Sequence, residues 1–320
     1  MKQSIAVVYG GYSGESAVSE KSAQMILENI DRSKYEVTPV HIDKNAWKAI
    51  INSTEYDVNR GDFSVDTPDG NIRFEKVFNI IHGTPGEDGI LQGYFEMIGM
   101  PHTSSDVFAM SLTFNKSANN TYLKQFGFRS AKSVILRQTD HYSTSKIINQ
   151  LGLPCFVKPN EGGSSIGISK VKAAHEMAAA IEMAFRENDE VLIEEFISGR
   201  EVSCGVIKRH GRPLALPLTE MIPFGEFFDY EAKYEGNSEE VTPADIPEEL
   251  TLQIQNIAVE VYEILRCNGM IRIDFLLNEK GPYLIEVNTV PGFSDTSLVP
   301  QQAAAAGISK KDLITLLLQE

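Results

Sequence analysis

The sequence predicts an α/β fold that begins with a doubly wound parallel sheet. The apolar run Ser4–Tyr9 is typical of a buried parallel strand, and a glycine loop and a helix ending near Asn29 follow it. The segments Tyr35–Ile42 and Lys76–Ile81 have the composition of two more strands, which completes a β-α-β pattern. The glycine loop contains neither GxGxxG nor a following GKS or GKT, so dinucleotide-binding and Walker A interpretations are both poor.

Length and composition restrict the class of protein. A chain of 320 residues with 42% hydrophobic and 23% charged residues is typical of a soluble globular protein with two or three domains. The net charge of −15 argues against a nucleic-acid-binding surface. No apolar run reaches the length of about 18 residues that a membrane span needs, and we expect no signal peptide. Cys155, Cys204 and Cys267 lie far apart, so we expect reduced thiols in a cytoplasmic protein.

Two loops at strand ends carry the candidate chemistry of the N-terminal third. Glu15 has two open interpretations: its carboxylate complements the dipole of the helix that follows, or it contacts a ligand at the carboxyl end of the first strand. His82 begins the acidic loop HGTPGEDG and could carry a proton or orient a substrate. A helix is predicted over Gly89–Ile98. The polar segment Asp57–Glu75 is predicted to be a surface excursion without chemistry.

The middle third contains two lysines beside a glycine-rich loop. Lys116 lies in a helix predicted over Leu112–Phe126, and Lys158 lies in a strand predicted over Leu153–Pro159. The loop that follows, NEGGSSIG, is rich in backbone N–H donors and can close over phosphates. An amphipathic helix over Lys172–Asn188 and a strand over Val191–Ile197 complete this part.

A hairpin near the C-terminus carries the clearest candidate metal site. Strands Ile271–Leu277 and Pro282–Asn288 are joined by a short turn, and strand side chains alternate between faces. Pairing them brings together Asp274, Glu286 and Asn288, with Arg272 beside them. Carboxylate and amide oxygens are ligands that suit Mg²⁺. Of the flanking segments, residues 251–267 are predicted to form a helix behind the hairpin, and residues 221–243 a lid loop.

The motifs together resemble a known family. VKPNEGGSSIG, LIEEFISGRE, RIDF and IEVNTVPG, in this order, resemble the ATP-grasp superfamily. GGYSGESAVS, HGTPGEDG, FFDYEAKY and PGFSDTSLVP make the chain similar to the D-alanine–D-alanine ligases over nearly its whole length.

The resemblance implies a three-domain ATP-grasp fold with an N-terminal doubly wound parallel-sheet domain. The implied domains are residues 1–103, with the first-substrate loop; residues 104–198, the central ATP-grasp domain; and residues 199–320, with the lid loop and the metal site. ATP would lie between the second and third domains. Two Mg²⁺ ions, with Mn²⁺ as an alternative, would be held by Asp274, Glu286 and Asn288.

The resemblance also implies the nucleotide contacts. The phosphates would be contacted by Lys116, Lys158 and Lys233. The adenine would lie along Glu194, Glu195 and Ile197, partly through their backbone, and Glu201 would bind the ribose hydroxyls. Many family members carry a lysine at the position of Glu195, so the role of this side chain stays open while its backbone role is unaffected.

The implied reaction is the ATP-dependent ligation of two D-alanine molecules through an acyl phosphate, for peptidoglycan precursor synthesis, with release of ADP and phosphate. Glu15, linked to Ser164 and Tyr234, would hold the ammonium of the first D-alanine. The oxyanion would be stabilised by Arg272 and the Gly292 N–H. The remaining implied contacts are Ser297 and the Leu298 N–H for the second carboxylate, and His82 to orient or deprotonate a substrate amine.

Two competing functions stay open. Another ATP-grasp ligase would share the ATP and metal residues and would differ at Glu15, Tyr234 and Ser297–Leu298. A nucleotide-binding regulatory protein without turnover would not need Arg272 beside a complete metal set. The resemblance also implies that Tyr234 favours a dipeptide product over D-alanyl-D-lactate, because the related D-alanine–D-lactate ligases carry a different residue there. A homodimer is implied by the resemblance alone.

Overall fold

The computed structural model describes residues 2–223 and 238–320, and its strands form three sheets. The first sheet contains seven strands: β1 (Gln3–Gly10), β2 (Tyr35–Ile42), β3 (Trp47–Ile51), β4 (Thr54–Asn59), β5 (Ser64–Thr67), β6 (Gly70–Ile72) and β7 (Lys76–Asn79). Their order is β6-β5-β4-β3-β2-β1-β7. β1 pairs in parallel with β2 and β7, as predicted, whereas β3 to β6 add antiparallel strands at one edge.

The β1 strand is buried on both faces, as a central parallel strand should be. Ile5 and Val7 belong to one hydrophobic cluster, and Ala6 and Val8 belong to another. Helix α1 (Ser16–Asn29) contributes Ile26 to the first cluster. Helix α2 (Ile90–Met97) covers the opposite face.

The prediction of a surface excursion over Asp57–Glu75 is wrong. This segment contains the end of β4 and all of β5 and β6. Four of its apolar side chains, Val58, Phe63, Val65 and Phe74, are buried in the second cluster, and Ile72 packs against it partly buried. Burial of these side chains holds an otherwise polar segment against the sheet.

In the middle part of the chain, the helices are α3 (Val107–Phe114), α4 (Lys116–Lys124), α5 (Thr144–Leu151) and α6 (Met177–Phe185), with a short 3₁₀ turn at Ala174–Glu176. Helices α3 and α4 pack against the C-terminal sheet, whereas α5 and α6 pack against a four-stranded sheet that this part of the chain forms. Its strands are β8 (Ser133–Arg137), β9 (Cys155–Pro159), β10 (Ser169–Val171) and β11 (Glu190–Glu195), in the order β10-β9-β11-β8. Val157 and Ile193 of the sheet share one core with Ile181 and Ala184 of α6.

The helix predicted over Leu112–Phe126 is two helices. Asn115 adopts an extended backbone between them, and its side-chain oxygen accepts the Ala118 N–H at 3.0 Å. This is the hydrogen bond of an N-terminal cap, so the side chain of Asn115 begins α4 as a new helix. Lys116 is therefore the first residue of a helix rather than part of its interior.

The C-terminal part forms a six-stranded antiparallel sheet. Its strands are β12 (Arg200–Arg209), β13 (Arg212–Ala215), β14 (Thr219–Pro223), β15 (Ser238–Val241), β16 (Met270–Asn278) and β17 (Gly281–Asn288), in the order β15-β14-β12-β16-β17 with β13 paired to β12. Its helices are α7 (Glu248–Ile264), α8 (Leu298–Ala305) and α9 (Lys310–Gln319). Ile254 and Val261 of α7 pack behind β16, as predicted. The central part of the predicted lid, residues 224–237, lies outside the described residues.

Candidate active site

A cleft of about 480 Å³ lies where the loops and strand ends of the three sheets meet. Most of the predicted site residues line it: Glu15, His82, Lys116, Ser164, Glu201, Arg272, Asp274, Glu286, Asn288, Gly292, Ser297 and Leu298. Lys158, Glu194, Glu195 and Ile197 are not among the residues that line it. Lys233 and Tyr234 lie outside the described residues.

Glu15 and Ser164 meet across the cleft. The Ser164 hydroxyl donates to Glu15 Oε1 at 2.5 Å, although 149 positions separate the two residues. Glu15 precedes α1 but makes no side-chain capping bond to it, so its carboxylate faces the cleft instead. A Cβ at Gly163 would lie 2.7 Å from Glu15 Oε1, so a side chain at Gly163 would displace this carboxylate. The geometry supports the ligand-binding interpretation of Glu15.

Ser164 and Ser165 both adopt left-handed backbone conformations, with φ of 54° and 57°. This conformation is uncommon for residues other than glycine and is found where the surrounding structure holds it in place. The glycine-rich loop is therefore shaped to aim the Ser164 hydroxyl at Glu15.

His82 lies at the wall of the cleft and is only 5% exposed. Burial lowers the pKa of its imidazole, so the ring is neutral near pH 7. Its Nε2 lies 3.2 Å from the Ser22 hydroxyl, and that hydroxyl also accepts the Phe293 N–H at 3.1 Å. A neutral ring held in this way can accept or donate a single proton.

Glu87 is a cleft residue to which the sequence motifs assign no role. Its Oε2 accepts the Gly83 N–H at 2.8 Å, and its Oε1 accepts the Val290 N–H at 3.3 Å. It thereby joins the loop after β7 to the turn after β17. Burial, followed by the nearby Glu15 carboxylate, raises the pKa of Glu87 to about 8. The motif HGTPGEDG contains this residue, but only the fold reveals its partner on the other side of the cleft.

The predicted β16–β17 hairpin forms, and it places Asp274 opposite Glu286 and Arg272 opposite Asn288. Arg272 donates to both oxygens of Asp274, with Nη2 2.8 Å from Oδ2. Asp274 also accepts the Ser203 hydroxyl at 2.8 Å and the Asn288 amide at 3.1 Å. Three neighbouring side chains thus hold one buried carboxylate at the floor of the cleft.

The oxygen donors of this hairpin fit Mg²⁺ chemically, because two carboxylates and an amide on adjacent strands are ligands that hard cations prefer. The set contains two acids, Asp274 and Glu286, and the amide of Asn288. Across residues 2–223 and 238–320, no three His, Cys, Asp or Glu side chains are grouped so that they could hold a metal ion. A metal at the hairpin would therefore rely on the amide and on phosphate or water oxygens as further ligands.

Lys158 and Glu194 form a buried ion pair beside the cleft. Lys158 Nζ lies 2.6 Å from Glu194 Oε2, and both residues are less than a tenth exposed. Burial by itself lowers the pKa of Lys158, but the attraction of Glu194, Glu286 and Glu201 outweighs it and raises the pKa. Lys158 therefore stays charged although it is largely buried. Lys116 donates to the Gly162 carbonyl at 2.5 Å.

The side chain of Glu195 has a local partner. Its Oε1 accepts the Lys132 N–H at 2.9 Å, which ties the end of β11 to the segment before β8. Glu195 therefore serves the packing of adjacent strands at the position where the resemblance left its role open.

The N-terminus of α8 forms the last wall of the cleft. Ser297 precedes the helix and Leu298 is its first residue, so the Leu298 N–H has no partner within the helix. Ser297 Oγ accepts the Ser294 N–H at 2.9 Å. A Cβ at Gly292 would lie 2.8 Å from Ser297 Oγ, so the close approach of these two segments requires glycine. Backbone N–H groups at a helix start favour an anion.

Comparison with known proteins gives matches over nearly the whole chain. The family model described as D-ala D-ala ligase N-terminus matches residues 4–105, and the one described as D-ala D-ala ligase C-terminus matches residues 122–319. The D-alanine–D-alanine ligase of Flavobacterium johnsoniae is 47% identical over 314 residues, which is 98% of this chain and 97% of that protein. The corresponding ligase of Phocaeicola vulgatus is 43% identical over 100% of this chain and 99% of its own length.

Solved structures of related ligases superpose on nearly the whole chain. VanG D-Ala:D-Ser ligase from Enterococcus faecalis superposes with a TM-score of 0.89 at 32% identity, covering 100% of this chain and 99% of its own. D-alanine–D-alanine ligase from Bacillus anthracis complexed with ATP superposes with a TM-score of 0.80 at 26% identity, covering 99% and 96%. The predicted ATP-grasp fold is confirmed. On matches that span almost its whole length, the chain belongs to the D-alanine–D-alanine ligase family.

Proposed function

We propose that this protein ligates two D-alanine molecules into D-alanyl-D-alanine, with conversion of ATP to ADP and phosphate, for peptidoglycan precursor synthesis. Its membership of the ligase family supports this. The observation that carries the proposal is the Glu15–Ser164 hydrogen bond, which faces the Arg272–Asp274 pair across one cleft. The Glu15 carboxylate can bind the ammonium of one amino acid, and Arg272 lies opposite it to stabilise charge at the reacting carboxylate. This arrangement suits the joining of two amino acids.

ATP binding is proposed for the region around the glycine-rich loop. Lys116 and Lys158 would contact its phosphates, together with Lys233. The adenine would lie along Glu194, Glu195 and Ile197, and Glu201, which lines the cleft, would bind the ribose. The charged state of the buried Lys158 supports a phosphate-binding role.

Asp274, Glu286 and Asn288 would hold Mg²⁺, or Mn²⁺ in its place. When bound, the metal would neutralise charge on the phosphate oxygens. Phosphoryl transfer depends chiefly on position and on charge neutralisation, and the lysines contribute to both. Arg272 holds the Asp274 carboxylate in a fixed position before any ligand arrives.

In the first step, the carboxylate of the first D-alanine attacks the γ-phosphorus of ATP, and the bond from that phosphorus to ADP breaks. An acyl phosphate results. Glu15 would hold the ammonium of this substrate, and Ser164, with Tyr234, would fix the orientation of Glu15. Tyr234 would also favour D-alanine over D-lactate as the second substrate.

In the second step, the amine of the second D-alanine attacks the acyl carbon, and phosphate leaves. Arg272 and the Gly292 N–H would stabilise the oxyanion of the tetrahedral intermediate. The second carboxylate would bind Ser297 and the Leu298 N–H. Neutral His82 would orient the amine or accept its proton, which the lowered pKa of its imidazole supports.

The decisive test measures phosphate release with ATP, Mg²⁺ and D-alanine, with mass identification of the product. Parallel reactions contain L-alanine, D-alanine with D-lactate, and D-alanine with D-serine. Release that depends on D-alanine and yields the dipeptide is the expected result. Nucleotide binding without release in any of these reactions would contradict the assigned substrates and favour another carboxylate–amine pair.

The division into residues 1–103, 104–198 and 199–320 is proposed as the domain organisation, which the separation of the three sheets supports.

A homodimer is proposed from the family resemblance and is checked by light scattering. Cytoplasmic location is proposed because Cys155, Cys204 and Cys267 are all buried free thiols. In the described part of the chain, no helix has the length and apolar character needed to cross a membrane.

A further inference from the structure

Asn160, the first residue of the glycine-rich loop, is fully buried although it is polar. Its backbone N–H donates to the Glu190 carbonyl at 2.9 Å, and its carbonyl accepts the Lys116 N–H at 3.1 Å. Its side-chain oxygen accepts the Ser117 N–H at 2.9 Å, and its side-chain nitrogen donates to Glu190 Oε2 at 2.8 Å. Both backbone groups and both side-chain groups of Asn160 are therefore engaged.

The contacts of Asn160 fall on the start of α4. The first N–H groups of a helix have no partner within it. Here the first two, from Lys116 and Ser117, go to Asn160, and the third, from Ala118, goes to the Asn115 side chain. The position of α4 relative to the glycine-rich loop is therefore set by Asn160.

Both lysines proposed for the phosphates are tied to this one residue. Lys116 begins the helix that Asn160 anchors, and Lys158 precedes Asn160 by two positions on β9. A second link between the same segments, from the Asn115 amide to Glu161 Oε1 at 2.9 Å, closes the arrangement. The separation of the two cations thus depends on a rigid joint between β9, β11 and α4.

We propose that Asn160 is a positioning residue for nucleotide binding, which holds Lys116, Lys158 and the glycine-rich loop in the arrangement that receives the phosphates of ATP. The inference rests on the proposed ATP-binding role of these two lysines. Asn160 would act through its neighbours and would not touch the reacting atoms.

An amide is well suited to this position because it accepts from one side and donates to the other. Aspartate would still accept the Ser117 N–H, but it would place a second carboxylate against Glu190 where a hydrogen bond of 2.8 Å now lies. Changing Glu190 to glutamine at the same time would restore that bond with donor and acceptor exchanged. The glutamine introduced in this way would keep an oxygen for the Arg137 side chain, which now donates to Glu190 Oε1 at 2.9 Å.

The experiment compares Asn160→Asp, Glu190→Gln and the double variant with the unchanged protein. Calorimetric titration with ADP and Mg²⁺ and steady-state KM values for ATP and D-alanine are measured, together with melting temperatures. We expect N160D to weaken nucleotide affinity and raise KM for ATP about tenfold or more, the change that corresponds to one lost hydrogen bond of about 1.4 kcal/mol. KM for D-alanine should change little, and the double variant should recover most of the nucleotide affinity.

Asn71→Asp is the matched control. The Asn71 amide donates to Asp66 Oδ1 at 2.8 Å between two exposed side chains on adjacent strands, so this variant also brings two carboxylates together. It should leave both KM values unchanged. If Asn160→Asp does not fold, Asn160→Ser replaces it in the same titration.

An unchanged nucleotide affinity in a folded Asn160 variant would overturn the inference. A double variant that regains its melting temperature without regaining nucleotide affinity would also overturn it. The hydrogen bond between positions 160 and 190 would then support stability and not nucleotide binding. An unchanged protein that binds ADP but does not ligate D-alanine would overturn the proposed function instead. The titrations of the variants would still decide the role of Asn160.

Discussion

Two antiparallel hairpins of this protein each carry a pair of oppositely charged side chains, and the two pairs differ in their exposure to solvent. On β3–β4, Lys48 lies 2.7 Å from Asp57, whose side chain is 83% exposed. On β16, the side chains of Arg272 and Asp274 are only 17% and 5% exposed and lie 2.8 Å apart. An exposed pair contributes little to stability, whereas removing charges from water is costly. The fold bears that cost for the pair that faces ligands at the cleft, and it leaves the other pair in water.

The largest expected effect comes from removing the charge of Asp274. Asp274→Asn should reduce dipeptide formation by about 10³-fold, because Arg272 loses its counter-ion and the proposed metal site loses a carboxylate. Asp57→Asn, the same change in the exposed pair, should leave the rate unchanged. Coupled phosphate-release kinetics measure both, and equal rates in the two variants would contradict a functional role for the hairpin.

The second comparison concerns stability. Lys158→Met should destabilise the protein by about 3–5 kcal/mol, because it leaves the Glu194 carboxylate buried without its cation. Lys48→Met removes the partner of an exposed aspartate and should hardly shift the unfolding curve. Urea denaturation followed by circular dichroism gives both free energies. A Lys158 variant as stable as the Lys48 variant would show that Glu194 finds another partner or takes up a proton.

A smaller effect is expected from the link across the cleft. Ser164→Ala removes the donor to Glu15 and should lower kcat/KM for the first D-alanine about tenfold, since one hydrogen bond to a charged group is lost. Ser145→Ala is the control, because Ser145 lies on the exposed face of α5 and its hydroxyl hydrogen-bonds only with Ser143, at 2.9 Å, among the described residues. Initial rates at varied D-alanine, with ATP saturating, separate the two D-alanine sites. Equal kcat/KM values in the two serine variants would remove Ser164 from the binding of the first substrate.

The last expected effect is a slope of stability with pH that originates at Glu87. Folding raises the pKa of this carboxyl from 4.5 to about 8, so the folded protein holds a proton that the unfolded chain releases. The contribution of Glu87 to the free energy of unfolding is fully present below pH 4.5 and is lost as the pH rises to about 8. Glu87→Gln should flatten this part of the curve of melting temperature against pH. An unchanged slope would mean that Glu87 ionises normally in the folded protein.

The hairpin and the first parallel strands could be predicted from sequence because their signals are local. Alternation along β16 places Arg272 and Asp274 together, and the family motifs quoted from the sequence contain most of the residues that line the cleft. The division of one predicted helix into α3 and α4 at Asn115 could not be predicted from helical composition. It depends on a single hydrogen bond, in which the Asn115 side chain accepts the Ala118 N–H.

Other features depend on contacts between distant parts of the chain. The carboxylate of Glu87 finds the Val290 N–H across 203 positions, and no spacing within its own loop indicates that partner. The strands β5 and β6 are polar by composition and are held by the burial of Phe63 and Phe74. In both cases the tertiary structure decides the role of a residue whose local sequence favours a loop.

The packing of the first strand also bears on how the chain is synthesised. Ile5 and Val7 share their core with Ile314 and Leu317 of α9, and the buried Lys76 donates to the Leu318 carbonyl at 2.9 Å. One face of β1 therefore stays incompletely covered until α9 has been synthesised and has packed against it. A nascent chain should need protection from aggregation until α9 has emerged from the ribosome, and the first sheet should complete its core only as that helix docks.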